Sequence, residues 1–320
     1  MMKFVWRFTL ACSMATGAVA AEYPSKPVAL VVPYAAGGAT DALARALGAE
    51  MGKSLNQTVV VENKLGAGGA IAAGYVARAA ADGYTVCLCG TGNLVTNPLI
   101  NKTAYDPFKD LLPVVYVADM PNVLVARKGL SASDIAALRK DPKTMDGALT
   151  FGTSGVAGTH HLAGEWFAQK TDIQLTHVPY KGEAPAITDL VGGRIDLVFG
   201  TVSGTMSMIK SGDLQALAVL SDTRSQILPD VPTITEFGVP NYAAFNWVGL
   251  NVPTGTPSAA IARLNQSVND ALASPKFRER LEQFMMEGRG GTSAKYAAFM
   301  TAEHDKWLEV IRTVGIQAAQ

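Results

Sequence analysis

The chain has 320 residues and a formal net charge of +0, with 48% hydrophobic and 17% charged residues. That balance excludes an intrinsically disordered chain, and the lack of a basic excess argues against a nucleic-acid-binding protein. The length allows about two domains, and no apolar run after the N-terminus reaches the roughly 18 residues of a membrane-spanning helix.

The N-terminus has the order of a secretory signal peptide. Lys3 and Arg7 form a positive region, residues 8–18 are apolar, and Ala-Val-Ala at 18–20 is a small-residue cleavage site. We therefore expect residues 1–20 to be removed and the mature chain to begin at Ala21 in the periplasm. The alternative, a buried N-terminal helix, fits this order less well.

The cysteines indicate no dependence on disulfides. Cys12 lies in the leader, and a lipoprotein anchor there is disfavoured because Thr9 stands where Leu is usual. Cys87 and Cys89 are two apart on a predicted strand, so both face one side, with Cα atoms about 6.6 Å apart, at the far limit for a bridge. We expect two small core residues rather than a disulfide or a metal pair.

Strand and helix patterns alternate from the mature start. The first unit contains, in order, a strand at 28–32, a glycine-bearing loop at 33–40, a helix through Met51, a strand at 58–61, a helix at 68–81 and a strand at 85–89. This βαβαβ order predicts a parallel sheet with right-handed crossovers.

A second unit of similar plan follows. It contains a helix opened by 131–134 and ended near 141–142, a strand at 149–151, a loop at 152–159, a helix through 168, a strand at 175–178, a helix at 184–191, a strand at 195–199, a helix to 211 and a strand at 214–220. The tail contains a strand at 248–252 and three helices, which begin near 257, 275 and 292.

The chain leaves the first unit once, near 121–127, and returns once, near 245–252. We therefore predict an α/β protein of two lobes, joined by two hinge strands with a ligand cleft between them. The first lobe comprises 21–122 and 248–320, and the second comprises 123–247.

Two glycine-rich loops, at 33–41 and 152–161, each follow a strand and precede a helix. Their backbone N–H groups and the positive ends of the helix dipoles favour an anion. Ligands of open α/β sheets bind at the carboxyl ends of strands, so one loop in each lobe could hold a ligand from both sides. Tight turns without a ligand are the alternative.

The sequence contains near matches to two enzyme motifs, but each lacks a required glycine. The stretch Gly66–Ile71 follows the second strand and lacks the last glycine of a dinucleotide fingerprint, and Gly152–Val156 misses the nucleophile elbow by one glycine. His160 and His161 are adjacent and cannot form an i, i+4 metal pair, whereas His177 has the setting of a structural histidine. We predict no catalytic residue, metal or cofactor.

A family resemblance rests on motifs spread over the mature chain. The chain resembles the Bug family, the TctC-like extracytoplasmic solute receptors of tripartite tricarboxylate transporters. The matching stretches are Val32–Asp41, Val61–Lys64, Gly66–Gly69, Ala81–Thr85, His161–Glu165, His177–Gly182, Leu217–Leu220 and Pro229–Thr233.

The resemblance implies a type II-like periplasmic binding protein whose lobes close on a small carboxylate, held largely by backbone N–H groups and water. Together with the residue patterns, it gives as expected ligand-binding residues Tyr34, Ala35, Ala36, Gly37, Gly38, Thr40, Asp41, Thr91, Thr153, Ser154, Gly155, Gly158, Thr159, Tyr180, Phe199, Gly200 and Thr201. Trp247 is a further candidate for the wall, whereas Lys181 fits a solvated surface charge better than an anion partner.

Two departures from the family pattern bear on the ligand. Ala157-Gly158 stands where a glycine and a hydroxyl residue are frequent, and Phe199-Gly200-Thr201 stands where Phe-Asp-Asn is frequent. Without that aspartate, burying an ammonium group is costly unless Asp41 or Glu183 reaches the cleft. We therefore expect an aliphatic dicarboxylate or an aromatic acid rather than an amino acid.

The resemblance also implies the partners. We expect a monomer that delivers its ligand to a large multi-span permease and a small membrane protein, and that does not bind nucleic acid. The alternatives are a binding module that reports to a sensor kinase and, with less support, an α/β enzyme that acts on a carboxylate.

Overall fold

The computed structural model describes residues 23–130, 135–140, 149–156, 158–240 and 242–316. The predicted signal peptide and both predicted ends of the helix near 131–142 lie outside these residues. Within the described ranges, no helix is both long and apolar enough to cross a membrane.

The described residues form eleven strands: β1 (Val28–Val32), β2 (Val59–Asn63), β3 (Thr85–Gly90), β4 (Leu111–Met120), β5 (Asn122–Arg127), β6 (Leu149–Thr153), β7 (Leu175–Pro179), β8 (Leu197–Thr201), β9 (Leu214–Val219), β10 (Asn246–Pro253) and β11 (Glu287–Gly288). Their helices are α1 (Ala39–Leu55), α2 (Ala70–Ala77), α3 (Asn97–Ile100), α4 (Ile135–Leu138), α5 (Thr159–Thr171), α6 (Glu183–Val191), α7 (Val202–Ser211), α8 (Ser258–Ala273), α9 (Pro275–Gln283) and α10 (Ser293–Val314).

The first sheet has the order β11-β4-β10-β3-β1-β2. Its β1, β2 and β3 are parallel, as the βαβαβ pattern predicts, and β10 runs antiparallel to both β3 and β4. The sheet is therefore mixed rather than parallel throughout, because the chain that returns from the second lobe enters it without a crossover helix.

The second sheet repeats this plan in the order β7-β6-β8-β5-β9. Strands β6, β7 and β8 are parallel, and β5 runs antiparallel to β8 and β9. The chain passes from the first sheet to the second at Pro121, between β4 and β5, and returns between β9 and β10. The architecture is the two-lobed α/β fold that the sequence predicts.

Helix α2 differs from its prediction, and strands β4 and β11 and helix α3 were not predicted. Helix α2 ends at Ala77 rather than at residue 81, and Arg78 follows it with non-helical dihedral angles. Strand β4 was not predicted, because Pro113 interrupts its pattern. The proline is tolerated since β11 pairs only with Ala118 and Asp119 on that side of β4.

Cys87 and Cys89 are fully buried on β3, as expected for core residues. They are nevertheless joined by a disulfide, so the expectation of two unbridged residues is wrong. Their Cα atoms lie 5.3 Å apart, closer than on an ideal strand and within the range that a disulfide spans.

One of the hydrophobic clusters spans both lobes. At its centre, Trp166 of α5 stacks on Tyr242, with ring centroids 4.4 Å apart, and meets Trp307 of α10 at 6.1 Å. The Tyr242 hydroxyl donates to the carbonyl of Ala163 at 2.6 Å. The last helix of the first lobe is therefore packed against the second lobe.

Candidate functional site

A cleft of about 1270 Å³ lies between the two sheets. Its walls come from both lobes and from the start of β10. The lining residues are 33–35, 38–40, 65–70, 91–92, 96–97, 101–103, 120, 154, 156, 158–160, 183, 201, 203–204 and 246–248.

The two glycine-rich loops both reach this cleft, and each leads into a helix in the same way. Gly38 precedes α1 with φ −76° and ψ 168°, and Gly158 precedes α5 with φ −81° and ψ 170°. Neither helix has a side chain that caps its first turn. Both N-termini therefore present backbone donors and positive dipole ends to the cleft, as an anion site requires.

The first loop is held in place by Asp41, which is 3% exposed. Its carboxylate accepts the Gly37 N–H at 2.9 Å, two bonds from the Arg45 guanidinium at 2.9 Å, and the Asn63 amide at 2.9 Å. The Arg45 guanidinium and then the Gly37 N–H lower the pKa of Asp41 to about 2. Asn63 also donates to the Tyr34 carbonyl at 2.9 Å.

The second loop is held by a hydroxyl and an imidazole. The buried Thr153 hydroxyl donates to the Gly155 carbonyl at 2.9 Å and lies 2.7 Å from His177 Nε2. His177 stacks on His161 with ring centroids 3.8 Å apart. Burial, and then the neighbouring His161, lower the pKa of His177 to about 4.

His160 joins the second loop to both strands that connect the lobes. It is 6% exposed, and its Nδ1 lies 3.4 Å from the Ser154 hydroxyl. Its Nε2 lies 3.4 Å from Asn122 of β5 and from Asn246 of β10. Burial lowers the pKa of His160, although nearby Glu183 opposes this shift.

The structure brings nine of the seventeen expected site residues to the cleft wall: Tyr34, Ala35, Gly38, Thr40, Thr91, Ser154, Gly158, Thr159 and Thr201. Thr91 is buried, and its hydroxyl accepts the Trp247 N–H at 3.0 Å. Trp247 is also part of the cleft lining, but its ring is buried against Tyr116, Tyr296 and Phe299 and so does not form an aromatic wall.

The other eight lie outside the lining: Ala36, Gly37, Asp41, Thr153, Gly155, Tyr180, Phe199 and Gly200. Three of these, Asp41, Thr153 and Gly155, support the loops from behind, through the bonds described above. Tyr180 instead donates to Asp189 at 2.9 Å, and Phe199 is fully buried against Phe151 and Phe167.

Sequence reasoning missed one whole side of the cleft. The segment after β3 supplies Thr96, Asn97, Asn101 and Lys102 to the wall. The signal was available, because this segment follows the carboxyl end of a strand parallel to β1 and so lies at the same sheet edge. His160, which the sequence pattern excludes as half of a metal-binding pair with His161, also lines the cleft.

Glu183 lines the second-lobe wall of the cleft, and Gly200 lies next to it outside the lining. One Glu183 oxygen accepts the Thr201 hydroxyl at 2.9 Å, and the other accepts the Thr201 backbone N–H. Gly200 is covered by this carboxylate and does not contact the cleft. Across the described part of the chain, no group of three or more His, Cys, Asp or Glu side chains is arranged to hold a metal ion.

A family profile described as the tripartite tricarboxylate transporter family receptor matches residues 43–316. The chain belongs to this receptor family. It is 35% identical to protein BugT of Bordetella pertussis (strain Tohama I) over 313 residues, which cover 96% of this chain and 95% of the relative. It is 36% identical over 316 residues to the "UPF0065 protein in tcbD-tcbE intergenic region" of Pseudomonas sp. (strain P51), covering 97% and 94% of the two chains.

Solved structures agree with this family and with the two-lobed fold. R. palustris Rpa4515 with adipate has a TM-score of 0.82 and 35% identity, over 93% of this chain and 100% of that chain. The periplasmic binding protein BugD has a TM-score of 0.78 and 35% identity, over 93% of this chain and 100% of that chain. MatC from Rhodopseudomonas palustris with bound malate has a TM-score of 0.77 and 32% identity, over 90% of this chain and 100% of that chain.

Proposed function

We propose that this chain is a periplasmic receptor that captures a small organic carboxylate between its lobes. The observation that carries the proposal is the pair of uncapped helix N-termini, at Gly38 and Gly158, that open onto one cleft. Each N-terminus offers backbone donors to a carboxylate, and charge-assisted hydrogen bonds contribute about 1.5–3 kcal/mol each. Closure of the lobes about the two connecting strands would bring both sets of donors onto one ligand.

No arginine is needed to hold the carboxylate. Arg45, the arginine beside the first loop, is engaged by Asp41 through two hydrogen bonds. Neutral backbone donors therefore carry the recognition. A site of this kind spreads the ligand's charge over two helix dipoles instead of placing it on one cation.

For the ligand class, we infer an aliphatic dicarboxylate or an aromatic acid. Amino acids stay among the test ligands because Glu183, an anion that an ammonium group would require, lines the cleft. The solved relatives with adipate and malate support small dicarboxylates. Tyr34 gives the wall apolar surface against which a carbon skeleton can pack. Lys102, at the wall segment after β3, could meet a second carboxylate.

Titration calorimetry with the mature protein tests the function. Adipate, malate, an aromatic dicarboxylate, glutamate and aspartate are the test ligands, and the diamide of adipate is the uncharged control. We expect micromolar binding of at least one acid and none of the diamide. If a ligand binds only the folded chain, it must also raise the melting temperature. Binding of the diamide as tight as that of adipate would contradict recognition of a carboxylate.

Delivery to a tripartite transporter and export to the periplasm complete the proposal. In this proposal the closed receptor binds a large multi-span permease and a small membrane protein, and the match to a transporter-receptor family supports that role. The N-terminal order of Lys3, Arg7 and the Ala-Val-Ala site supports export. Mass spectrometry of the periplasmic fraction should detect a chain that begins at Ala21, and an intact chain confined to the cytoplasm would contradict export.

A further inference from the structure

His160 lies where the second glycine-rich loop meets both strands that connect the lobes. It is the second residue of α5, it lines the cleft, and it is 6% exposed. Its Nδ1 faces the Ser154 hydroxyl at 3.4 Å, and its Nε2 faces Asn122 and Asn246, each at 3.4 Å. These two asparagines are the first residues of the connecting strands β5 and β10. The imidazole therefore contacts a cleft loop and both connecting strands at once.

The orientation of the Asn122 amide makes its Oδ1 the atom that faces His160. The Asn122 Nδ2 donates to the Ala244 carbonyl at 2.9 Å, and a carbonyl only accepts, so the amide cannot be reversed. The Asn122 Oδ1 in turn accepts the Asn246 Nδ2 at 3.3 Å. His160 Nε2 therefore lies between one fixed acceptor, on Asn122, and one donor, on Asn246.

Each neutral tautomer of His160 satisfies a different set of these partners. A neutral imidazole has one nitrogen that donates and one that accepts. With the proton on Nε2, His160 donates to Asn122, and its Nδ1 accepts the Ser154 hydroxyl. With the proton on Nδ1, His160 donates to the Ser154 oxygen, and its Nε2 accepts from Asn246. Burial lowers the pKa of His160 and so favours the neutral ring, against the smaller effect of Glu183.

Only one of the two tautomers leaves the Ser154 hydroxyl proton available to a ligand. Ser154 lines the cleft, and within the described part of the chain the hydrogen-bond partner of its hydroxyl is His160. When Nδ1 carries the proton, the serine oxygen accepts from His160, and its own O–H can donate to a carboxylate. When Nε2 carries the proton, the serine O–H is occupied by Nδ1. A carboxylate, which only accepts, therefore gains a donor from the first tautomer alone.

We propose that His160 is a positioning residue: as the Nδ1–H tautomer it frees the Ser154 hydroxyl to donate to a carboxylate held at the α5 N-terminus, while its Nε2 accepts from Asn246. This inference rests on the proposed function. The bound carboxylate selects this tautomer because it interacts more favourably with it than with the other. Ligand capture at the second loop thereby moves a hydrogen bond of His160 from β5 to β10.

Nitrogen-15 NMR of the mature protein reads the tautomer directly, because protonated and bare ring nitrogens have well-separated shifts. The chain has 4 histidines, and substituting each in turn assigns their signals. The ligand is the acid that binds most tightly in the calorimetric panel of adipate, malate, the aromatic dicarboxylate, glutamate and aspartate. At neutral pH we expect the complex to carry the His160 proton on Nδ1. A complex with the proton on Nε2, or with both nitrogens protonated, would overturn the proposal.

Variants test whether His160 acts through Ser154. His160→Leu and Ser154→Ala should each raise the Kd for that acid about tenfold, because each removes the same hydrogen bond to a charged group. The double variant should bind no more weakly than either single one. His160→Asn places an amide donor where Nδ1 stands and should restore most of the affinity, whereas His160→Gln extends its amide toward the Nε2 position and should not. His304→Leu, at a partly exposed histidine of α10 outside the cleft lining, is the matched control and should leave the Kd unchanged.

The outcomes separate this inference from the function on which it rests. Multiplied effects in the double variant, about hundredfold in Kd, would overturn the action through Ser154. Binding as weak in His160→Asn as in His160→Gln would do the same. Thermal melts identify any variant that does not fold, and the NMR result on the wild-type protein then decides. Failure of every acid to bind the wild-type protein would instead overturn the proposed function, and this inference with it.

Discussion

The two glycine-rich loops have the same backbone geometry but different supports. Gly38 and Gly158 have φ and ψ angles within a few degrees of each other, and neither α1 nor α5 has a capping side chain. In the first lobe, the carboxylate of Asp41 holds the loop by accepting four hydrogen bonds from Gly37, Arg45 and Asn63. In the second lobe, the neutral Thr153 and His177 do so.

The difference shows what the site requires. Exposed backbone donors at a helix N-terminus bind an anion whatever supports them, so the supporting side chains can differ between lobes. A charged support resists acid until its carboxyl group is protonated, whereas protonation of the His177 imidazole places a charge in a partly buried position beside His161. The two halves of the site should therefore respond differently to substitution and to pH.

The largest expected effect comes from placing a carboxylate at the two helix N-termini. Asp is a better N-cap than Gly by a few tenths of a kcal/mol, so Gly158→Asp should preserve or slightly raise stability. A Cβ at Gly158 meets nothing within 4 Å. The new carboxylate would occupy the donors and repel the ligand, and we expect the Kd for the best carboxylate to rise at least about hundredfold.

Gly38→Asp and Gly158→Asn complete this test. A Cβ at Gly38 would lie 3.3 Å from the Ala35 carbonyl oxygen, so the first loop must shift slightly and Gly38→Asp should be less stable than Gly158→Asp. Gly158→Asn caps the helix without a charge and should weaken binding less. Calorimetry and thermal melts provide the readouts. Unchanged affinity in both Asp variants would contradict a ligand site at these helices.

The sequence predicted the loops because their glycines and the apolar strands before them are local signals. The strand Val28–Val32 and the glycine-rich segment after it lie next to each other in the chain, and strand-loop-helix order alone places that segment at the carboxyl edge of the sheet. For the same reason the three parallel strands of each sheet were predicted correctly.

The supports and the rest of the wall could not be predicted in this way. Asn63 reaches Asp41 from the neighbouring strand β2, and Glu183 reaches Thr201 from a different helix. Such contacts depend on the direction of a side chain after the sheets have assembled. The expectation that Phe199 lines the cleft shows the same limit, because a strand residue faces one of two sides and this one faces the core.

A smaller effect is expected from removing each support in turn. Asp41→Asn leaves the Arg45 guanidinium and the Gly37 N–H without a charged acceptor, and hydrogen bonds to charged groups are worth about 1.5–3 kcal/mol. We expect the free energy of unfolding to fall by about 2 kcal/mol and the ligand Kd to rise about tenfold.

Thr153→Val is the counterpart in the second lobe. It removes a neutral hydroxyl and leaves His177 Nε2 without that partner, so we expect a loss of about 1 kcal/mol and a smaller effect on Kd than in Asp41→Asn. Denaturant unfolding and calorimetry measure both variants. A larger loss in Thr153→Val than in Asp41→Asn would reverse the proposed ranking of the two supports.

The two supports should also differ in their response to pH. Because the pKa of His177 is lowered to about 4, the unfolded chain binds a proton at this residue between pH 6.5 and 4 while the folded chain does not. Its contribution to stability is therefore complete above pH 6.5 and declines as the pH falls toward 4. The pKa of Asp41, lowered to about 2, gives a contribution that is present above pH 3.8 and lost as the pH falls through 2.

His177→Gln should flatten the decline in melting temperature between pH 6.5 and 4, and Asp41→Asn should flatten only the decline below pH 4. His161 and Glu165, which lie 3.5 Å apart, remain in both variants, so the difference between the two profiles isolates each support. A His177→Gln profile that parallels wild type from pH 6.5 to 4 would show that the second loop does not depend on a neutral imidazole.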